Sequence, residues 1–135
     1  MSSPQLYTLT ICACRKDGMD EDEYHQYLSD HHSKIVATHL ASRGIVSYTM
    51  THNTTETKKM MSQIFGNFPE GQTAGYDCFI QIVFKDVQDY IRAKDDPYYK
   101  EVILPDHTHF ANTEKTFFVT GWLETHILNG QVVQG

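Results

Sequence analysis

Hydrophobic and polar positions alternate near the start of the chain and then recur at helical spacing. Apolar residues occupy every second position from Tyr7 to Ala13, which is the period of a β-strand. After a turn at residues 15–18, Asp20 can cap a helix with an apolar face. That face comprises Tyr24, Tyr27, Leu28, His31, His32, Ile35, Val36 and Leu40. The pattern predicts a strand and then a long helix that ends before Gly44.

The rest of the chain predicts three more strands and a second helix. Residues 45–52 alternate as a strand, and residues 76–84 form a strongly apolar one. A helix is predicted over residues 87–94, followed by a fourth strand over residues 115–127. The resulting order, β-α-β-β-α-β, is that of a ferredoxin-like α+β fold. A chain of 135 residues, residues 1–135, fits one such domain.

Two segments fall outside this order. Residues 53–75 are polar and contain an apolar island of Met60, Met61, Ile64 and Phe65. A structureless loop of that length is unusual in a compact domain. We therefore expect a short helix around residues 57–65 and a lid-like insertion over residues 53–75. Residues 128–135 are expected to form a loose tail.

Composition and charge exclude several classes of partner. The formal net charge is −6 and the 11 Lys and Arg residues are scattered, which argues against nucleic acid and anionic membranes. Cys12, Cys14 and Cys78 are odd in number, which favours a reducing compartment over a disulfide framework. Neither a signal peptide nor a run of about 18 apolar residues is visible. We expect a cytoplasmic protein.

The predicted sheet has one face that the helices do not cover. This face would expose aromatic and other apolar side chains to water unless something packed against it. A second copy of the chain is the simplest cover. The pattern therefore predicts a homodimer.

Histidines are numerous, and one of them lies on the apolar face of the first helix. His32 follows Leu28 by four residues and precedes Ile35 by three, which places it toward the sheet. A histidine held there can act as a general acid or base near neutral pH. The alternative is a core histidine bonded to a backbone carbonyl. His25 is expected to face solvent.

Polar residues on the predicted strands suggest further site residues. Tyr48 and His52 share a strand face with Met50 between them, where they could line an apolar wall and bind a phenolic oxygen. Alternatively, Tyr48 packs in the core and His52 is a solvated strand end. Asp77 lies within a predicted strand, where carboxylates are depleted. We favour an Asp77 that orients or charges a pocket histidine, and the alternative is a surface salt bridge.

Aromatic residues could complete a binding site. Phe118 and Trp122 share a face of the fourth strand, and Phe65 lies in the insertion. If these rings face a cavity they would stack on an aromatic ligand, and otherwise they are core. A Ser-His-Asp order, a phosphate-binding glycine loop and a nicotinamide fingerprint are absent from the sequence. With these three motifs absent, proton transfer is the chemistry for which the sequence carries suitable side chains.

Several short segments together resemble a known family. They are residues 15–19, 24–32, 44–46, 48–53, 76–77, 96–99, 105–107, 110–111 and 120–122. In order and spacing these segments resemble the EthD family. Within it, they resemble small fungal polyketide-tailoring proteins, of which some are decarboxylases and some are dehydratases. The resemblance extends over roughly residues 7–127.

The resemblance implies a dimeric α+β barrel with the ligand in a cavity between sheet and helices. It implies that no metal and no organic cofactor is needed, and it favours the catalytic interpretation of His32. It also makes His107 the second acid–base candidate, near the mouth of the pocket. His107 and His109 could instead bind a metal ion together, but the sequence shows no third ligand at a spacing typical of a metal site. His107 could also be an exposed loop residue.

The main hypothesis is a cofactor-independent lyase that acts on an aromatic polyketide. It would dehydrate a cyclic hydroxyketone or hemiketal, or decarboxylate a polyketide carboxylic acid. His32 or His107 would take the proton next to a ketone, and Tyr48 would hydrogen-bond the enolising carbonyl. One alternative is a polyketide cyclase or a cofactor-free oxygenase. Another is a non-catalytic carrier of a hydrophobic precursor.

Overall fold

Four antiparallel strands form one sheet in the order β2-β3-β1-β4 in a computed structural model of the chain, which describes residues 4–67 and 70–133. The strands are β1 (Leu6–Ala13), β2 (Ser47–His52), β3 (Cys78–Phe84) and β4 (Phe117–Leu123). With the crossing helices, this arrangement confirms the predicted ferredoxin-like α+β fold. The last three strands are each shorter than predicted.

A π-helical turn interrupts the long helix that follows β1. Helix α1 covers Glu21–Tyr27, the π turn covers Leu28–His32, and helix α2 covers Ser33–Ser42. The Asp20 carboxylate caps the first turn by accepting backbone N–H groups, as predicted. The π turn inserts one extra residue immediately before His32, and such bulges occur frequently at functional sites. Hydrophobic periodicity does not reveal this turn.

The next helices belong to the insertion and to the crossover after β3. Helices α3 (Thr55–Lys58) and α4 (Met60–Phe65) lie in the insertion. Helix α5 covers Val87–Asp95 and is followed by a second π turn, Tyr99–Ile103, and by α6, Leu104–Asp106. A 3₁₀ turn, His107–His109, ends this segment. None of the helices among the described residues is long and apolar enough to cross a membrane.

The core lies between the helices and one face of the sheet. Its most fully buried side chains are Tyr24, Leu28, Leu40, Ile103 and Cys78. They come from α1, α2, β3 and the two π turns. Residues of both π turns therefore pack in the core against the sheet. The first turn ends at His32, and the second ends immediately before α6.

The insertion and the tail differ from the predictions. A short helix was expected near residues 57–65, and α3 and α4 occupy this region. Met60, Ile64 and Phe65 are nevertheless exposed, and residues 68–69 of the insertion lie outside the described residues. The predicted loose tail instead contains a hairpin of β5 (Ile127–Leu128) and β6 (Gln131–Val132). Its two-residue turn has positive φ angles, which suit a tight hairpin, and residues 134–135 lie outside the described part.

Strand β4 lies at one edge of the sheet, and its side chains are largely exposed. Phe117 and Phe118 are 61% and 63% exposed, and Val119 and Trp122 are 56% and 61% exposed. Phe118 pairs with Ile11, whereas Phe117 pairs with Cys12 on the opposite face. Apolar surface is therefore present on both faces of this edge.

Candidate active site

A largely apolar cavity of about 660 Å³ lies between the sheet and the helices. Strands β1, β2 and β3 form its floor, and α2, α5 and residues 99–107 form its walls. Apolar lining residues include Leu9, Ile11, Val36, Leu40, Ile80, Ile82, Ile103 and Phe110. Its polar groups include His32, His107, Tyr48, Tyr90 and Tyr99. The volume and the apolar lining with few polar groups are typical of small-molecule sites.

His32 and Asp106 form a buried pair in the wall of this cavity. The Nδ1 atom of His32 lies 2.8 Å from Oδ2 of Asp106, and both side chains are more than nine-tenths buried. Because an ionised carboxylate only accepts, Nδ1 carries the proton and donates it to Asp106. This leaves the lone pair of the neutral imidazole on Nε2. No described residue bonds Nε2, so this atom is available to a ligand in the cavity.

Asp106 is held in place by donors from the first helix. The Tyr27 hydroxyl donates to Oδ1 at 2.5 Å, and Nε2 of His31 lies 3.5 Å from the same oxygen. Burial alone would raise the pKa of Asp106, but the hydrogen bonds from Tyr27 and His32 outweigh it and hold that pKa below its usual value. Asp106 is therefore ionised at neutral pH.

Burial controls the protonation of His32. It lowers the pKa of His32 below the usual value, against the opposing effect of the hydrogen bond to Asp106. The ring centroid of His107 lies 4.9 Å from that of His32 and adds a smaller effect in the same direction. At neutral pH His32 is thus an uncharged base whose orientation Asp106 fixes.

His107 faces the cavity beside His32. Its Nδ1 lies 3.0 Å from the carbonyl oxygen of Leu104, so Nδ1 carries a proton and donates it. Its Nε2 has no bonding partner among the described residues. Two imidazoles with free Nε2 atoms therefore line one cavity, which allows one to take a proton and the other to deliver one.

The structure brings four of the nine predicted site residues to the cavity: His32, His107, Tyr48 and Phe118. Met50 packs against the core nearby but does not line the cavity. Trp122 lies in a separate shallow pocket beside Tyr7, and Phe65 is exposed on α4.

His52 lies apart from the cavity and contacts another histidine. Its Nδ1 is 2.7 Å from Nδ1 of His25, and Ser29 Oγ lies 3.4 Å from its Nε2. His25 was expected to face solvent, but its Nε2 is buried. Burial, and then the neighbouring His25, lowers the pKa of His52.

Asp77 contacts Arg15 and not the pocket histidine that was predicted. It lies directly before β3, where its carboxylate accepts the backbone N–H of Arg15 at 2.8 Å and lies 3.7 Å from the Arg15 guanidinium. It contacts no cavity histidine. The structure corrects the role predicted for Asp77, because β3 begins one residue later and leaves this carboxylate beside the end of β1.

Sequence reasoning missed three polar residues of the site. Asp106 was noted within the segment 105–107, but nothing in the sequence pairs it with a histidine 74 positions earlier. Tyr90 and Tyr99 had no assigned role. Within residues 4–67 and 70–133, no group of three His, Cys, Asp or Glu side chains is placed to hold a metal ion.

The solved structures that resemble this chain share its fold. A DABB-family protein with a ferredoxin-like fold from Mesorhizobium loti superposes with a TM-score of 0.57 and is 16% identical. The match covers 87% of this chain and 95% of that one. At this identity the likeness concerns the fold alone.

Curated relatives are more similar in sequence. "Dehydratase aurZ" of Gibberella zeae is 40% identical over 95% of this chain and 84% of its own. "Decarboxylase claH" of Passalora fulva is 39% identical over 94% and 82%. "Conidial pigment biosynthesis dehydratase EthD" of Metarhizium robertsii is 38% identical over 96% and 90%. Residues 16–114 match the EthD domain, and the chain belongs to the EthD family.

Proposed function

We propose that the protein is a cofactor-independent lyase that tailors an aromatic polyketide by general acid–base catalysis. The observation that carries this proposal is the 2.8 Å contact between His32 and Asp106 in the wall of an apolar cavity. The relatives named dehydratase and decarboxylase support the reaction class. The relative named for conidial pigment biosynthesis supports an aromatic secondary metabolite as substrate.

Dehydration uses three polar groups of the cavity, His32, Tyr48 and His107. Nε2 of His32 takes the proton from the carbon next to a ketone, and its electron pair moves into an enolate. The Tyr48 hydroxyl donates to the enolate oxygen, where charge develops. The enolate then collapses, a new C=C bond forms, and the C–O bond to the β-hydroxyl breaks. The proton taken by His32 passes to Nε2 of the neighbouring His107 and from there to the departing oxygen, which leaves as water.

Decarboxylation is a second candidate, and the cavity rim favours it. Lys94 and Lys100 line the cavity, where an ammonium group could hold a carboxylate at the entrance. Loss of carbon dioxide leaves an enol or carbanion equivalent, and His32 relays a proton from water to its carbon. The two reactions share this intermediate and the same donors.

We also propose that two copies associate through the sheet face opposite the helices. Phe117 and Val119 are exposed on this face, and Phe79 of β3 lies on the same side. Light scattering should show a dimer for the unmodified protein and a monomer for Val119→Lys. Val132→Lys, an equally drastic change on the C-terminal hairpin, is the control and should stay dimeric. A monomeric unmodified protein would contradict the proposal.

We propose that the enzyme works in the cytoplasm. Its three cysteines are unpaired, and a reducing compartment keeps such thiols reduced. A fluorescent fusion viewed with a secretory-pathway marker tests this, and co-localisation with the marker would contradict it.

The deciding experiment is mass spectrometry of anaerobic, chelator-treated incubations with hydroxylated and carboxylated aromatic polyketides. Loss of water identifies a dehydratase, and loss of carbon dioxide a decarboxylase. Either product should fall at least a hundredfold with His32→Ala. His126→Ala, which removes an exposed histidine bonded to Glu124, is the control and should keep full activity. A ligand that binds but never changes would favour a carrier, and oxygen uptake in aerobic reactions would favour an oxygenase.

A further inference from the structure

Three tyrosines line the cavity, and the packing of the protein does not by itself explain their hydroxyl groups. Tyr48 comes from β2, Tyr90 from α5 and Tyr99 from the second π turn, and all three reach the same cavity as His32. All three side chains line one cavity, and the phenols of Tyr90 and Tyr99 lie near each other. Three segments distant in sequence thus deliver their hydroxyls to one place.

We infer that Tyr48, Tyr90 and Tyr99 form an oxygen-binding subsite that holds two neighbouring oxygens of the substrate, as in a β-hydroxy ketone or an enolised 1,3-diketone. The inference rests on the proposed function and deepens it, because it names the substrate feature that the cavity recognises. Tyr48 serves the reacting carbonyl, and the Tyr90–Tyr99 pair serves the oxygen beside it.

The count of donors supports two oxygens. At most one of the Tyr90 and Tyr99 hydroxyls can donate to the other, so at least one O–H proton of this pair remains free. The Tyr48 hydroxyl has no protein acceptor among the described residues and supplies a second free proton. Two free donors side by side match two acceptor oxygens on one edge of a ligand.

Of the tyrosines outside this cavity, two have protein acceptors for their hydroxyls, whereas the buried hydroxyl of Tyr24 has none among the described residues. The Tyr27 hydroxyl donates to Asp106, and that of Tyr98 donates to the carbonyl oxygen of Ile35. A hydroxyl donor left without an acceptor in an apolar site is unfavourable, so the subsite needs an oxygen from a ligand or from water. Burial raises the pKa of Tyr48, Tyr90 and Tyr99, so each stays a neutral donor at physiological pH.

A binding experiment with unreactive probes tests this subsite apart from catalysis. One probe is an anthraquinone with a hydroxyl beside its carbonyl, and the other is the same ring system without hydroxyls. Calorimetric titration should show that the unmodified protein prefers the hydroxylated probe. Tyr99→Phe should reduce this preference about fivefold, the equivalent of one hydrogen bond, whereas Tyr48→Phe should weaken the binding of both probes about fivefold, because both carry the carbonyl that Tyr48 holds.

Two further variants make the result decisive. Tyr98→Phe removes the neighbouring hydroxyl outside the cavity and should leave the preference unchanged. His32→Ala should also keep the preference, because it removes the proposed base but not the subsite. An absence of turnover with the preference intact would overturn the lyase proposal but not the subsite. An unchanged preference in Tyr99→Phe, or an unchanged affinity for both probes in Tyr48→Phe, would overturn the subsite and leave water as its occupant.

Discussion

Nδ1 of His32 lies 2.8 Å from Oδ2 of Asp106, although the two residues are 74 positions apart in the chain. The first ends a π turn in the helix after β1, and the second ends helix α6 after β3. The contact fixes the tautomer of His32, because the carboxylate accepts from Nδ1 and leaves Nε2 as the base. The same arrangement of a carboxylate behind a histidine serves many acid–base enzymes.

Asp106→Asn tests this contact directly. The amide removes the negative charge and can also donate to Nδ1, which would stabilise the wrong tautomer. We expect kcat to fall about a hundredfold or more, with KM little changed. Asp77→Asn is the matched control, because that carboxylate contacts Arg15 instead of a histidine. Equal losses in the two variants would show that the Asp106 contact has no special role.

The pH dependence of kcat/KM reports the protonation of His32. A base must be neutral, and burial holds the pKa of His32 below its usual value of 6.5. Activity should therefore be constant near neutral pH and fall as pH drops through a value below 6.5. Initial rates across the acid range would measure this limb. An acid limb above neutral pH would contradict the assignment of His32 as the base.

Tyr27→Phe tests how Asp106 is kept ionised. Loss of the phenol should raise the pKa of Asp106 and cost about 1.5 to 3 kcal/mol of stability at neutral pH. A carboxylate with a lowered folded-state pKa stabilises the fold above its unfolded pKa, and this stabilisation is lost as pH falls through the folded pKa. The difference from the unmodified protein should therefore shrink below about pH 4. Urea unfolding at several pH values measures it.

A purely steric role for Tyr27 predicts a different result. The stability loss in Tyr27→Phe would then be the same at every pH. The activity of the variant adds a second check, since a less firmly held Asp106 should lower kcat about tenfold. Tyr76→Phe, whose ring packs against Phe79 and Phe117, is a suitable control.

The pair of His25 and His52 should make stability depend on pH. With their Nδ1 atoms 2.7 Å apart, one must donate and the other accept, so protonation of both rings breaks the contact. The pKa of His52 is lowered, so its contribution is present above about pH 6.5 and is lost as pH falls through the folded pKa. Unfolding free energies above and below this pH should differ less in His52→Gln. An identical pH dependence in this variant would contradict the expectation.

The sequence by itself determined the order of elements and the direction of single side chains. Alternation marked the first two strands and a strongly apolar run marked the third, while spacing of three and four residues placed His32 on the buried side of its helix. The cap at Asp20 could also be predicted, since a capping side chain bonds backbone groups only two or three residues away. These features depend on local geometry, which a short window of sequence contains.

Only the tertiary structure decided which polar groups meet. Asp106 contacts His32, Asp77 contacts Arg15, and His52 contacts His25. These partners are 74, 62 and 27 positions apart in the sequence. The carboxylates of Asp77 and Asp106 therefore have different partners. Hydrophobic periodicity predicts which face of its helix or strand a residue occupies. It does not predict which residue of another element contacts it. That choice depends on how the helices pack on the sheet, including the extra residue that a π turn inserts before His32.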